Sequence, residues 1–136
     1  MNPIQGDDSS LIHGDVTSAI VRVFYRVYDH LGFGFLESVY CGAMSHEFAV
    51  EGIGFVREAP IDVMYKRSRV GHFKADFLVE GRVAVEVKAS EHLAPAHRRQ
   101  LLNCLSASEL EVGLLLHFGP NARFERVVHS VSRKRA

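Results

Sequence analysis

The sequence predicts an α/β sandwich, a mixed central sheet with helices on its faces. Three observations carry this. In chain order the periodicities read helix, helix, strands, helix, strand, strand. The stretch Glu111 to Phe118 is a nearly continuous apolar run, as expected of a strand buried on both faces. A helical segment separates that strand from the one ending at Lys88, so a crossover can join them side by side.

Residues 1–13 read as a flexible leader, polar and acidic at the start, and residues 14–131 as a single domain. Asp15 is the expected N-cap of a helix to about Leu31, with Val16, Ile20, Val23, Val27 and Leu31 along one stripe. Gly32-Phe33-Gly34 breaks it. A second helix is expected from about Phe35 to Val50, with Leu36, Val39, Tyr40, Ala43 and Met44 at helical spacing and Gly52 ending it. Strand signals follow at Phe55 to Arg57 and at Ile61 to Tyr65, then a basic turn from Lys66 to Arg69.

Phe73 to Val79 alternates, placing Phe73, Ala75, Phe77 and Val79 on one side and Asp76 on the other. Glu80-Gly81 turns the chain into Arg82 to Lys88, where Val83, Val85 and Val87 face inward and Glu86 and Lys88 share the opposite face. Ala94 to Ala107 reads as a helix presenting Leu101, Leu102 and Leu105 to the core. Gly119-Pro120-Asn121 is a turn, Phe124 to Val131 a last strand, and residues 132–136 a basic tail.

With 136 residues, 47% of them apolar and 24% charged, the chain has the composition of one globular domain. Sixteen basic and sixteen acidic residues cancel, so any surface for a polyanion must be local. Cys41 and Cys104 match no metal or redox spacing, and reduced thiols in the cytoplasm are the expectation. No apolar run reaches membrane-spanning length, so no membrane partner is expected. The eight histidines repeat no metal-ligand spacing on one element; His117 reads as a hydrogen-bonded core residue and His97 as bordering the site.

A hairpin closed at Gly81 brings Asp76 and Glu86 together across the strand pair, with Lys88 two residues beyond. Two carboxylates and an ammonium at strand ends can hold a hard divalent cation beside a water and a phosphodiester. The bland reading of Glu86 and Lys88 is a solvated pair on one strand face. Local basic groups, at Lys66, Arg67 and Arg69, at Lys74, at Arg98 and Arg99, and at Arg133 to Arg135, are the remaining support for a phosphate-bearing ligand.

Gly34-Phe35-Leu36-Glu37-Ser38-Val39-Tyr40 resembles the signature of the GxxExxY proteins, a branch of the PD-(D/E)XK nuclease superfamily. The resemblance continues through Lys74 to Val79, Val85 to Ala89, Gln100 to Asn103 and Leu115 to Gly119, over roughly residues 15 to 130. It implies a restriction-endonuclease-like sandwich with an αβββαβ core and a nuclease using Mg²⁺ or Mn²⁺. Asp76 and Glu86 would be the metal ligands, with the Val87 carbonyl and Glu37 as further ones. Lys88 would be the catalytic cation and Gln100 a helper on the following helix. DNA is the favoured substrate and RNA the alternative; the fold would also allow a homodimer. A catalytically silent nucleic-acid-binding or protein-interaction module is the competing implication. Cys104 stands where relatives carry a Tyr, Phe33 where many have a proline, and Tyr28 where His is common.

Overall fold

The computed structural model describes residues 11–130; most of the leader and the basic tail lie outside them. The described chain folds as α1 (Gly14–Leu31), α2 (Glu37–Glu51), β1 (Phe55–Tyr65), β2 (Ser68–Val79), β3 (Val83–Lys88), α3 (Pro95–Ser106), β4 (Val112–Phe118) and β5 (Ala122–Val128). The strands form one sheet in the order β1-β2-β3-β4-β5. Only the β3–β4 pair is parallel, bridged by the crossover through α3; every other neighbour is antiparallel. The mixed α/β architecture is the one the sequence predicts. None of the helices in the described residues is long and apolar enough to cross a membrane.

Helices cover both faces of the sheet and create two cores. The larger packs Val16, Ile20, Val23, Phe24 and Val27 of α1, and Tyr40, Met44 and Phe48 of α2, on Phe77, Val85, Leu114, Leu116 and Phe118. The smaller packs Leu101, Cys104 and Leu105 of α3 on Ile61, Ala75, Ala84, Leu115 and Val127. Every residue of β4 is buried, as its unbroken apolar run requires. Gly113 lets α3 approach closely: a Cβ there would stand 2.9 Å from Leu101 Cδ1.

Several boundaries differ from expectation, each for a local reason. His13 occupies the N-cap position of α1 without a side-chain capping bond, and Asp15 lies inside the first turn. β1 runs unbroken through Pro60 because it is an edge strand, where a missing N–H costs little. The turn expected over Lys66 to Arg69 is confined to Lys66 and Arg67, since Tyr65 already pairs with Ser68. The last strand spans Ala122 to Val128.

The second helix starts at Glu37, leaving Phe35 and Leu36 in the preceding loop, with Leu36 74% and Val39 40% exposed. Tyr40 explains this. Its ring stacks on Phe118 with centroids 4.1 Å apart, while its hydroxyl donates to the Gly32 carbonyl and accepts from the Phe35 N–H at 3.2 Å. Gly34, at φ +117, gives the loop a conformation that side chains resist.

The alternation of β2 also departs from the simple pattern. Phe77 and Val79 pack in the larger core, but Ala75, with Phe73 beside it, packs in the smaller one. The change of side falls at Asp76, where β2 parts from β3.

Candidate active site where the second and third strands part

The β2–β3 ladder contains three pairs, Val79 with Val83, Leu78 with Ala84, and Phe77 with Val85. The next step would set Asp76 against Glu86, and there side chains replace the ladder. The Asp76 N–H donates to Glu86 Oε1 at 3.0 Å, and the Val87 N–H donates to Asp76 Oδ2 at 2.7 Å. On the other side of β2, Glu58 falls opposite Asp76 in the register and adopts φ 51. A left-handed glutamate there marks strain stored beside the carboxylate pair. Lys88 Nζ stands 4.0 Å from Glu86 Oε2, with the two side chains 22% and 14% exposed.

This arrangement costs the charged form of Glu86. Burial, then the adjacent Asp76 charge, push its carboxyl up to about 7, against the opposing pull of the Asp76 N–H and Lys88. Cys41, buried beneath the pair on α2, is pushed up to about 12 by its own burial and by Asp76. His97 on α3 is held below the ordinary imidazole range, chiefly by burial and then by Lys88.

A shallow hollow lined by Glu37, Ser38, Cys41, Arg57, Glu58, Lys74, Ala75 and Asp76 opens beside the pair. The structure thus brings Asp76, Glu86 and Lys88 together and sets Glu37 on the hollow's rim. Among the described residues, no three His, Cys, Asp or Glu side chains are grouped closely enough to hold a metal ion. Glu37 lines the hollow beside Asp76 but is not grouped with Asp76 and Glu86 as the side chains stand. Val87 is tied to the pair through its N–H. Gln100 lies exposed on α3, and no hydrogen bond among the described residues joins it to the three.

The donor chemistry still fits a hard divalent ion. Mg²⁺ is commonly held by one or two carboxylates, with waters and substrate oxygens completing its shell. Glu86, destabilised as an anion by burial and a second carboxylate, is a group whose charge a cation would relieve.

Sequence reasoning missed Cys41, Arg57 and Glu58. Arg57 looks like an ordinary strand residue, and its guanidinium lies 5.5 Å from the Phe77 ring centroid. The signal available was the approach of α2, whose first residue, Glu37, must bring Cys41 one turn later to the same place.

A roomier cleft of about 760 Å³ lies at the β4–β5 turn, lined in part by Tyr25, His117, Arg123 and Glu125. It contains none of Asp76, Glu86 and Lys88, and Glu125 is paired with Arg98 at 3.1 Å. The shallower hollow holds the chemistry. His117 is the buried core residue expected, with Nε2 2.9 Å from the Ser90 carbonyl. Tyr28 likewise has a packing role, donating to the Gly119 carbonyl at 2.7 Å.

A family model described as the PD-(D/E)XK nuclease superfamily matches residues 14–129. The chain belongs to that superfamily. The five-stranded mixed sheet with three helices agrees with the fold of that superfamily. A crystal structure of SSO0001 is similar, at 15% identity and a TM-score of 0.46 over 86% of this chain and 66% of that one. This chain thus spans just under two thirds of SSO0001. No curated protein matches.

Proposed function

We propose that this chain is a divalent-metal-dependent nuclease, of the GxxExxY branch, that hydrolyses phosphodiester bonds in DNA. RNA is the alternative polynucleotide. The observation that carries the reading is the side-by-side placement of Asp76 and Glu86, with Lys88 4.0 Å from Glu86, in a chain of the PD-(D/E)XK superfamily.

Asp76 and Glu86 would hold Mg²⁺ or Mn²⁺ through their carboxylate oxygens, with the Val87 carbonyl beside them; Glu37, on the wall of the adjacent hollow, would become a further ligand by swinging in from α2. Such an ion, when bound, acidifies a coordinated water and neutralises charge on phosphoryl oxygens. Lys88 adds a compact ammonium where negative charge develops on the phosphate, and its partial burial strengthens that interaction. Gln100 assists from α3. Tyr40 fixes the loop that delivers Glu37, which gives the glycine and tyrosine of the signature a physical purpose.

The test is cleavage of labelled single- and double-stranded DNA with Mg²⁺ or Mn²⁺, comparing the natural chain with Asp76→Ala and Lys88→Ala. Activity in the natural chain that disappears in both variants is expected; equal activity in all three removes the assignment. A second reading, a binding module without turnover, draws on the lack, among the described residues, of a third ligand grouped with Asp76 and Glu86. Calorimetric titration with Mn²⁺ separates the two, because the catalytic reading requires binding that Asp76→Ala abolishes.

A further inference from the structure

We propose that the outer half of the β1–β2 hairpin, with its Lys66–Arg67 tip, is an arm that holds the phosphate backbone of a DNA duplex. This rests on the nuclease reading and adds where the substrate lies beyond the carboxylates.

β2 pairs with β3 only from Phe77 to Val79, whereas β1 and β2 stay paired from Ala59–Ala75 out to Tyr65–Ser68. The hairpin therefore projects past the point where Asp76 leaves the sheet. One face of the projection is packed: Ile61 and Ala75 are buried with Leu101 and Leu105, and the Met64 N–H donates to the Ala107 carbonyl at 3.1 Å. The other face is open, carrying the exposed cross-strand pairs Pro60–Lys74 and Asp62–His72. It is continuous with the hollow, since Lys74 and Glu58 line both.

Along the hairpin two cations are compensated, Lys74 by Glu58 at 3.1 Å and, nearer the tip, Arg69 by Asp62 at 2.9 Å. At the tip itself the cations are not: among the described residues, Lys66 and Arg67 have no carboxylate partner within salt-bridge distance. The Lys66 ammonium lies 5.5 Å from the Tyr65 ring centroid.

The backbone of the tip is the more telling observation. Lys66 and Arg67 form a two-residue turn with φ 47 and φ 69, the left-handed positions at which Asn-Gly is favoured. The other hairpin meets the same demand with Glu80-Gly81 and pins Glu80 to Gly54 by two hydrogen bonds, of 2.8 and 2.7 Å. The Lys66–Arg67 turn has neither a glycine nor a side-chain hydrogen bond among the described residues. Strained residues of this kind persist where position matters more than local stability. Here the strain directs two uncompensated cations outward at the end of an open face.

Arg67 is nine positions along the chain from Asp76, roughly 30 Å at about 3.3 Å per strand residue. That is about nine base pairs of duplex at roughly 3.4 Å each. A duplex laid along the open face would meet the carboxylate pair at one end and the tip at the other.

The experiment measures binding of the full chain to a fluorescein-labelled duplex of about 20 base pairs in EDTA, across a range of salt concentrations. The double variant Lys66→Asn/Arg67→Gly supplies the turn sequence the backbone favours, so its Tm should rise. Its affinity should nevertheless fall about tenfold at low salt, with a slope of log K against log salt shallower by about 1.8, the value for two lost phosphate contacts. Lys66→Gln/Arg67→Gln, which keeps side-chain length, should show the same loss. Unchanged affinity and slope in both variants would overturn the arm. If the natural chain binds and cleaves DNA and both variants do so equally, the arm alone falls; if the natural chain binds no DNA, the choice of DNA as substrate falls with it.

Discussion

Burial and the neighbouring Asp76 charge hold the Glu86 carboxyl at about 7, against 4.5 for an ordinary glutamate, and that direction sets how stability depends on pH. Between those values the folded chain keeps a proton that the unfolded chain has lost. Stability from this group is therefore greatest at low pH and declines as pH rises through 7, by at most about 3 kcal/mol. Urea denaturation at pH 5 and pH 8 in EDTA should show a decline in the natural chain that is smaller in Glu86→Gln. The same crowding makes the site receptive to cations. At Lys88, Arg preserves charge but changes shape and proton chemistry, so Lys88→Arg, like Lys88→Ala, should cleave at least about a hundredfold more slowly. A single-turnover assay with excess enzyme reads this directly. The triad Asp76, Glu86 and Lys88 was legible in the sequence because period-two alternation and a glycine turn fix which residues face one another across a hairpin. Cys41 was not legible, because its nearness to Asp76 depends on where a helix sits above the sheet, and Arg57 was not, because its place beside Phe77 depends on the β1–β2 register.

At the scale of elements, the α1–α2 loop shows how one buried side chain sets the start of a helix. Apolar spacing alone extends α2 back to Phe35. The competing demand is the Tyr40 hydroxyl, which takes the Phe35 N–H and holds Gly32. Tyr40→Phe keeps the stack on Phe118 and loses both bonds, so it should destabilise the fold by about 1–2 kcal/mol, measured by urea denaturation. If the loop delivers Glu37 to the site, cleavage falls in the same variant by more than the fraction unfolded accounts for. β1 teaches a similar lesson from the other side. Pro60 reads as a break in a strand, yet an edge position removes the penalty, and only the strand order reveals the edge. Gly113 is an element-scale constraint of another kind. Gly113→Ala would force α3 outward against Leu101 and should cost about 1–3 kcal/mol, read by thermal unfolding.

At the scale of the whole molecule, two cores share one sheet, and β4 is common to both. The layered α/β order was legible because the runs of periodicity differ in kind: stripes for α1, alternation for β2 and β3, unbroken apolar sequence for β4. The partition between cores was not, since Ala75 and Phe77 look equivalent by alternation and separate only where β2 leaves β3. Ligand linkage acts on the whole fold as well. A divalent ion bound at Asp76 and Glu86 stabilises the native state by mass action. Saturating Mn²⁺ should therefore raise Tm in the natural chain but not in Asp76→Ala, and more at pH 8 than at pH 5, where protonated Glu86 competes with the ion.

The fork between β2 and β3 has one more consequence. The amide protons of Asp76 and Val87 hang on carboxylates, whereas their neighbours in the ladder hang on carbonyls. A carbonyl acceptor is indifferent to acidity and to ions, but a carboxylate surrenders its grip when it takes up a proton or turns toward a cation. These two amides are therefore built-in gauges, reporting by their deuterium exchange whether the carboxylates are occupied by the backbone or released for chemistry.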